Sequence, residues 1–333
     1  MEQKVLRVST AVVVGALLLR LLSGFLPSLP ARAASIMLFL QTGRIVRPIN
    51  ISFSPGTTDP TQALTPDPAP PSQDQISEPE LPVFSADDAA MLAINSTFRY
   101  DADIATLLTQ PLHWDLTANE PTVLILHSHA SESYAPTGEY TEVSPYHTLN
   151  NAYNMVSVGA YVAQLLEAGG VSVIHDTTLH DNPSYNDSYG NSRASMQAYL
   201  EKYPSIRLVL DLHRDAIEDE DGNQIAQTVF AGDQTYAPLM LVVGTNYGGL
   251  THPQWRENFS LALKLQTQLE GICPGIGRKI NLRSQRFNQD LSTGALLIEI
   301  GTSGNSRQEA LRSAEVLADA ILSLAHGSRG IEN

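Results

Sequence analysis

The chain is short of cysteine and of positive charge. Its one cysteine, Cys273, cannot form an internal disulfide, and we expect it to be a small buried apolar side chain. Among the 333 residues, 20 Lys and Arg stand against 35 Asp and Glu, which gives a net charge of −15. Because a surface of this sign repels phosphate backbones, nucleic acid is not an expected partner.

Two motifs of hydrolytic enzymes are also missing. Ser128, Ser131 and Ser133 follow a predicted strand, but the chain has no Gly-x-Ser-x-Gly elbow, which disfavours a serine nucleophile. There is no His-Glu-x-x-His helix of the kind that binds zinc in metalloproteases. The sequence has no internal repeat either, so an elongated repeat architecture is not expected.

The amino-terminal part of the chain predicts export. Residues 8–26 form an apolar run about long enough to cross a bilayer, and Lys4 and Arg7 precede it. This length favours an uncleaved transmembrane anchor within a region covering residues 1–50. A cleaved signal peptide is the alternative, because residues 31–33 have the small-x-small form of a cleavage site. Both alternatives place the remaining chain on the extracytoplasmic side of the membrane.

The rest of the chain divides into a linker and one domain. Residues 51–84 are rich in Pro, Ser, Thr and Asp, which predicts a disordered linker. Strand and helix patterns alternate in residues 85–333, which predicts an α/β fold with a mostly parallel twisted sheet and helices on both faces. A hairpin is predicted over residues 216–231, around the turn EDEDGNQ. The other predicted strands are Val123–Leu126, Val171–Ile174, Ile206–Leu212, Leu239–Val243 and Ala295–Gly301.

Ionisable residues accompany the ends of three predicted strands. His127, His129 and Glu132 follow the first of these strands, His213 follows the second, and Glu299 lies in the last. Parallel strands present their carboxyl ends at one edge of a sheet, so these residues should converge there. Two histidines and a carboxylate provide three zinc ligands and leave a fourth position open. The Glu299 carboxylate, flanked by aliphatic residues, suits a general base.

Less specific interpretations compete with this zinc site. Polar residues after a strand are also typical of a solvated loop before the next helix. Glu299 could instead pair with an arginine such as Arg283 or Arg286. Asp211 and Asp215 could be partners that orient a ligand histidine or simple caps of a strand end.

Three segments resemble signatures of the stage II sporulation protein P family. They are VLILHSHASESY at 123–134, LVLDLHRDA at 208–216 and FNQDLSTGALLIEIGTSGNSRQEA at 287–310. The resemblance implies an exported domain similar to zinc-dependent N-acetylmuramoyl-L-alanine amidases.

Four residues of the family pattern have counterparts in this sequence, and for the first of them two histidines are possible. His213 matches a ligand histidine, and Glu299 matches the catalytic glutamate. The strand alignment favours His129 over His127 as the other ligand histidine, with Glu132 as the nearest carboxylate.

One departure from the family pattern concerns the carboxylate ligand. Exported amidases have a glutamate at the start of the next helix, where this chain has NNAYN at 150–154 and no carboxylate. Glu132 must therefore supply the ligand from the loop, or Glu139 or Glu142 must do so.

The resemblance also implies a biological setting. Such an enzyme would cleave the amide between the muramoyl lactyl group and L-alanine in peptidoglycan, and endopeptidase action on cross-links stays open. It would act in septal wall thinning and engulfment, anchored in the mother-cell membrane with stage II sporulation proteins D and M as partners. The alternative is a catalytically inactive module of the same fold that binds peptidoglycan or a partner.

Overall fold

The computed structural model describes residues 82–112 and 114–326. The predicted membrane anchor and nearly all of the predicted linker lie outside these residues. In the two described stretches, no helix combines the length and the apolar character needed to cross a membrane.

A seven-stranded sheet lies at the centre of the described region, in the order β1-β8-β7-β9-β4-β2-β3, and β5 and β6 form a separate hairpin. The strands are β1 (Ile94–Ser96), β2 (Val123–Leu126), β3 (Val173–His175), β4 (Leu208–Asp215), β5 (Val229–Ala231), β6 (Gln234–Tyr236), β7 (Leu239–Gly244), β8 (Ile280–Arg283) and β9 (Ala295–Thr302). Neighbouring strands of the large sheet run parallel, except that β7 and β9 are antiparallel. The predicted mostly parallel sheet is confirmed.

Helices cover both faces of this sheet, as the alternating apolar pattern predicted. They are α1 (Ala86–Met91), α2 (Ile104–Thr109), α3 (Met155–Ala168), α4 (Ser188–Lys202), α5 (Trp255–Ile272) and α6 (Arg307–His326). Val123 and Ile125 of β2 belong to a large apolar cluster that includes residues of α2, α3, α5 and α6. Leu124 and Leu126 point to the opposite face, where they belong to a cluster with Met196 of α4. Burial on both faces explains why β2 is a continuous aliphatic run rather than an alternating one.

The helix after β2 shows how local chemistry sets the ends of an element. The apolar pattern begins at Ala152, but α3 itself begins at Met155 because the Asn154 side chain accepts a hydrogen bond from the Val156 amide. The helix ends before Gly169, and Gly170 has a φ of +86°, a conformation that glycine adopts without strain.

The predicted hairpin over residues 216–231 differs from the observed one. The regular hairpin pairs β5 with β6, later in the chain. The EDEDGNQ segment instead forms a turn in which the Asp219 Oδ1 accepts hydrogen bonds from the Asp221 and Asn223 amides. A single bridge between Glu218 and Gln224 is the strand pairing at this turn within the described residues. The aspartate side chain satisfies the turn amides, so no extended ladder is needed there.

Candidate active site

The register of three neighbouring strands assembles the candidate site. Leu126, the last residue of β2, lies beside Asp211 of β4. His213 of β4 lies beside Glu299 of β9. The loop that follows β2 therefore begins next to His213, and side chains far apart in sequence meet at the carboxyl ends of the parallel strands, where ligands bind in such sheets.

His213 is held by carboxylates on both sides of its ring. Its Nε2 lies 2.9 Å from the Asp211 Oδ1, and its Nδ1 lies 3.6 Å from the Glu132 Oε2. The Nε2 contact is an ion pair rather than an aligned hydrogen bond. Burial alone would lower the pKa of His213, but the two carboxylates outweigh it and raise the pKa well above 6.5. The two carboxylates therefore stabilise an imidazolium at this position.

Glu132 is buried and is oriented by Arg214. The Arg214 amide donates to the Glu132 Oε2 at 3.2 Å, and the guanidinium Nη1 lies 3.6 Å from the Oε1. The same guanidinium donates to the carbonyls of Ser133 and Tyr146, which joins the loop after β2 to the end of β4. Burial would raise the pKa of Glu132, yet Arg214 and His213 lower it to about 2. Glu132 is therefore an anion beside His213.

The other two candidate carboxylates, those of Glu139 and Glu142, are exposed. Glu139 accepts a hydrogen bond from the Thr137 hydroxyl, and Glu142 accepts one from the Tyr146 amide. Both act within the surface loop in this structure. Glu132 is thus the carboxylate of the three that lies against His213.

The serines that follow β2 fasten the loop. The Ser128 amide and hydroxyl donate to the Asp211 carboxylate, at 2.8 and 2.6 Å. The Ser131 amide and hydroxyl donate to the Asp181 carboxylate, with a hydroxyl distance of 2.6 Å. These short bonds fix the backbone on both sides of His129. Sequence reasoning missed Asp181, because it lies in a long loop whose contacts depend on tertiary structure.

The two histidines after β2 have different surroundings. His127 is completely buried; its Nδ1 lies 2.9 Å from the Leu212 carbonyl, and its Nε2 lies 2.9 Å from the Nε2 of His175. Both of its nitrogens are therefore engaged. His129 is also buried, but its Nδ1 has no hydrogen-bond partner among the described residues, and its ring centroid lies 5.3 Å from that of His213. Of these two histidines, His129 is therefore the one with a ring nitrogen that makes no hydrogen bond within the described residues.

Two tyrosines of one helical segment pack around the histidine rings, and neither was singled out from sequence. Tyr185 stacks on His129, with centroids 4.1 Å apart and ring planes within 3°. Tyr189, four residues on, lies edge-on to His129 and parallel to His213. Their spacing of four residues was the available signal, since side chains at i and i+4 share one face of a helix.

Glu299 lies within β9 with one carboxylate oxygen left free. Its Oε2 is buried and has no hydrogen-bond partner in the described part of the chain. Burial raises the pKa of Glu299 to about 8, although the positive charge of His213 opposes the shift. The alternative pairing with Arg286 does not occur, since that guanidinium lies 3.3 Å from Asp290. A carboxyl with a raised pKa and a free oxygen at this edge of the sheet makes Glu299 a candidate acid–base group.

The donors fit zinc in their chemistry, although they do not form a finished site. Within residues 82–112 and 114–326, no group of three or more His, Cys, Asp or Glu side chains is placed to hold a metal ion. However, the 3.6 Å between the Glu132 Oε2 and the His213 Nδ1 is close to the ~3.3 Å that separates two ligands ~2.0 Å from a tetrahedral zinc. The unpartnered Nδ1 of His129 supplies a further nitrogen beside this pair.

The fold and the site together define an α/β protein with a buried histidine–carboxylate centre at the carboxyl ends of parallel strands. Residues 62–322 match the model of the stage II sporulation protein P family. Because this match covers most of the chain, the chain belongs to that family, as the three sequence signatures predicted.

The individual similarities are more distant. Stage II sporulation protein P of Bacillus subtilis (strain 168) is 27% identical over 216 residues, which cover 62% of this chain and 51% of the relative. The chain therefore matches about half the length of that curated relative. An N-acetylmuramoyl-L-alanine amidase of Nostoc punctiforme has a TM-score of 0.38 at 13% identity, over 61% of this chain and 96% of the other. An amidase of Mycobacterium smegmatis has the same TM-score and identity, over 64% of this chain and 100% of the other.

Proposed function

We propose that the protein is a zinc-dependent N-acetylmuramoyl-L-alanine amidase that hydrolyses peptidoglycan. Membership of the stage II sporulation protein P family supports a role in sporulation. The observation that carries the chemistry is the position of Glu299, a half-buried residue whose buried Oε2 has no hydrogen-bond partner among the described residues, directly beside His213 in the strand register.

His129, Glu132 and His213 would hold the zinc ion. In this assignment the Nδ1 of His213 is a ligand, because its Nε2 already pairs with Asp211. A carboxylate behind a ligand histidine is a common feature of zinc sites, where it fixes the ring and increases the basicity of the ligand. Arg214 would orient Glu132 in the same way. His127 is not proposed as a ligand, because both of its nitrogens have partners.

Glu299 would be the general base. A zinc ion at this site supplies Lewis-acid polarisation of the substrate carbonyl and makes water more acidic. The Glu299 carboxylate would remove the proton from the attacking water and then donate it to the leaving nitrogen of the amide. Burial of Glu299 favours its neutral form, so the carboxyl can carry this proton between the two steps.

The setting of the reaction is part of the proposal. The chain would be anchored in the mother-cell membrane through residues 8–26, with its catalytic domain on the extracytoplasmic side and residues 51–84 as the linker. It would thin the septal wall and act during engulfment, with stage II sporulation proteins D and M as partners. Cleavage of peptide cross-links would be a second activity on the same polymer.

Replacement of Glu299 tests the enzymatic proposal. The full chain and its Glu299→Gln variant are incubated with purified peptidoglycan; released muropeptides are identified by mass spectrometry, and protein-bound zinc is measured. We expect the variant to keep its zinc and to lose hydrolysis by about 100-fold or more, because general acid–base catalysis contributes on the order of 10²–10⁴. Glu139→Gln, which alters an exposed carboxylate, should retain full activity.

The competing hypothesis is a module of the same fold that binds peptidoglycan without cleaving it. It predicts that the unmodified chain sediments with peptidoglycan but releases no products. That result, or full activity of a folded Glu299→Gln protein, would exclude the amidase mechanism.

A further inference from the structure

The ring of His129 is surrounded by other rings rather than by hydrogen-bond partners. Tyr185 covers one face in a parallel stack, while Tyr189 and His213 meet it edge-on, with interplanar angles of 87°. Its Nδ1 has no hydrogen bond to any of the described residues. His213, in contrast, has a carboxylate beside each nitrogen. Different interactions therefore orient the two histidines of the site.

The stacked geometry constrains rotation of the imidazole. Torsions between a tetrahedral carbon and an aromatic ring have broad minima, so a histidine without hydrogen bonds can turn its ring easily. The planes of the His129 and Tyr185 rings agree within 3°. Rotation of the His129 ring out of this plane would break the parallel contact. Stacked and edge-to-face aromatic contacts contribute more than the burial of their area alone. The tyrosine ring thus restricts the directions in which the His129 nitrogens point.

Buried hydrogen bonds connect the segments that bear the two rings. Asp181 lies four residues before Tyr185 and accepts hydrogen bonds from the amide and hydroxyl of Ser131, two residues after His129. Both Asp181 and Ser131 are buried. Tyr185 as a whole residue is 52% exposed, yet the segment that carries it is connected to the His129 loop by these bonds. Such a connection is what a tyrosine needs in order to hold a neighbouring imidazole in place.

We infer that Tyr185 is a positioning residue, which holds the His129 imidazole by ring stacking in the orientation that binds zinc. This inference rests on the proposed function, because it assigns Tyr185 a role toward the zinc ion of that site. The ring rather than the hydroxyl performs the role. Tyr185→Phe should therefore behave like the unmodified chain, whereas Tyr185→Ala should not.

Zinc affinity, measured by competition with a chromogenic chelator, tests the inference on the full chain. We expect Tyr185→Ala to bind zinc about tenfold more weakly, in the range seen when groups that orient metal ligands are removed. Its kcat should fall at limiting zinc and recover when zinc is raised, with KM unchanged. Tyr247→Ala is the matched control, because Tyr247 is 46% exposed and stacks on Phe98 at 4.3 Å, outside the site. This control should retain the zinc affinity of the unmodified chain.

Several outcomes would overturn the positioning role. A Tyr185→Ala variant with unchanged zinc affinity and a raised KM would make Tyr185 a substrate contact instead. Equal losses in Tyr185→Phe and Tyr185→Ala would assign the effect to the hydroxyl, and an equal loss in Tyr247→Ala would assign it to general destabilisation. An unmodified chain that binds no zinc would refute the proposed function, whereas zinc bound equally by that chain and Tyr185→Ala would refute the positioning role alone.

Discussion

Two pairs of histidines lie at the end of β2, and their nitrogens meet different partners. In the first pair, the His127 Nδ1 donates to the Leu212 carbonyl and its Nε2 faces the Nε2 of His175. In the second, His129 has a free nitrogen and His213 lies between two carboxylates. Burial lowers the pKa of His127 to about 3 and that of His175 to about 4, so the first pair is neutral. The second pair contains a stabilised imidazolium.

The two pairs differ in whether their polar atoms have partners within the fold. The first pair satisfies its own hydrogen bonds, and Gly159 of α3 allows it to pack tightly, because a Cβ atom there would clash with both rings. The second pair leaves a donor nitrogen and a nearby carboxylate oxygen without partners. Unpartnered buried polar atoms are destabilising unless something else engages them. The unpartnered His129 Nδ1 and Glu299 Oε2 lie at the same edge of the sheet as His213, which supports placing the proposed chemistry there.

The largest expected effect distinguishes the two neighbouring histidines. We expect His129→Ala to weaken zinc binding by more than about 100-fold, because loss of a ligand should exceed the 10–100-fold cost of losing a group that orients one. His127→Ala should keep its zinc but lose about 2–4 kcal/mol of unfolding free energy, since it leaves a buried cavity and an unpaired His175 nitrogen. Chelator competition and urea denaturation measure the two quantities. A reversed result, with zinc lost in His127→Ala alone, would exchange the roles of the two residues.

The next effect concerns the carboxylate behind His213. Asp211→Asn should weaken zinc binding by about 10–100-fold, because the amide cannot provide the negative charge that orients and polarises the ring. Asp215→Asn is the matched control on the same strand, since Asp215 pairs with Arg278 at 2.6 Å rather than with a histidine. Equal zinc affinities in the two variants would show that Asp211 has no role toward the metal.

The last effect concerns stability rather than zinc binding and is the acid sensitivity of the neutral pair. The pKa values of His127 and His175 are lowered from 6.5 in the fold, so below pH 6.5 the unfolded chain binds protons that the folded chain refuses. In zinc-free protein, this pair should therefore reduce stability as the pH falls from about 6.5 toward 4, by at most about 1.4 kcal/mol per pH unit for each histidine. Urea denaturation at pH 7, 6 and 5 measures this loss. The loss of stability should be smaller in His127→Ala than in the unmodified chain. If the unfolding free energies of the two proteins change equally with pH, His127 is not buried in its neutral form.

Much of the fold could be predicted from apolar patterns. The four-residue aliphatic run of β2 and the helical spacing in α3 are strong local signals, and both elements form where they were expected. The short strands β1 and β8 were missed, because three or four residues carry too little periodicity to be recognised. The acidic and glycine residues of the turn before β5 predict a hairpin wrongly, because they are typical of both structures.

The site was predictable in its residue types but less so in its contacts. His129, Glu132, His213 and Glu299 were candidates because they accompany strand ends, and the structure brings them to one edge of the sheet. The roles of Arg214, Asp181 and Tyr185 could not be predicted, since each acts through a partner from another loop or strand.

Sequence by itself determined the strand and helix alternation, the signatures of the family and the presence of ionisable groups at strand ends, because these depend on the order of neighbouring residues. Only the tertiary structure decided which histidine has a free nitrogen. His127 and His129 are two residues apart and chemically identical, but His127 reaches the Leu212 carbonyl and the ring of His175, whereas His129 reaches the rings of Tyr185 and His213. Those partners lie far away in the chain, and the packing of β2 against β3 and β4 brings them into contact.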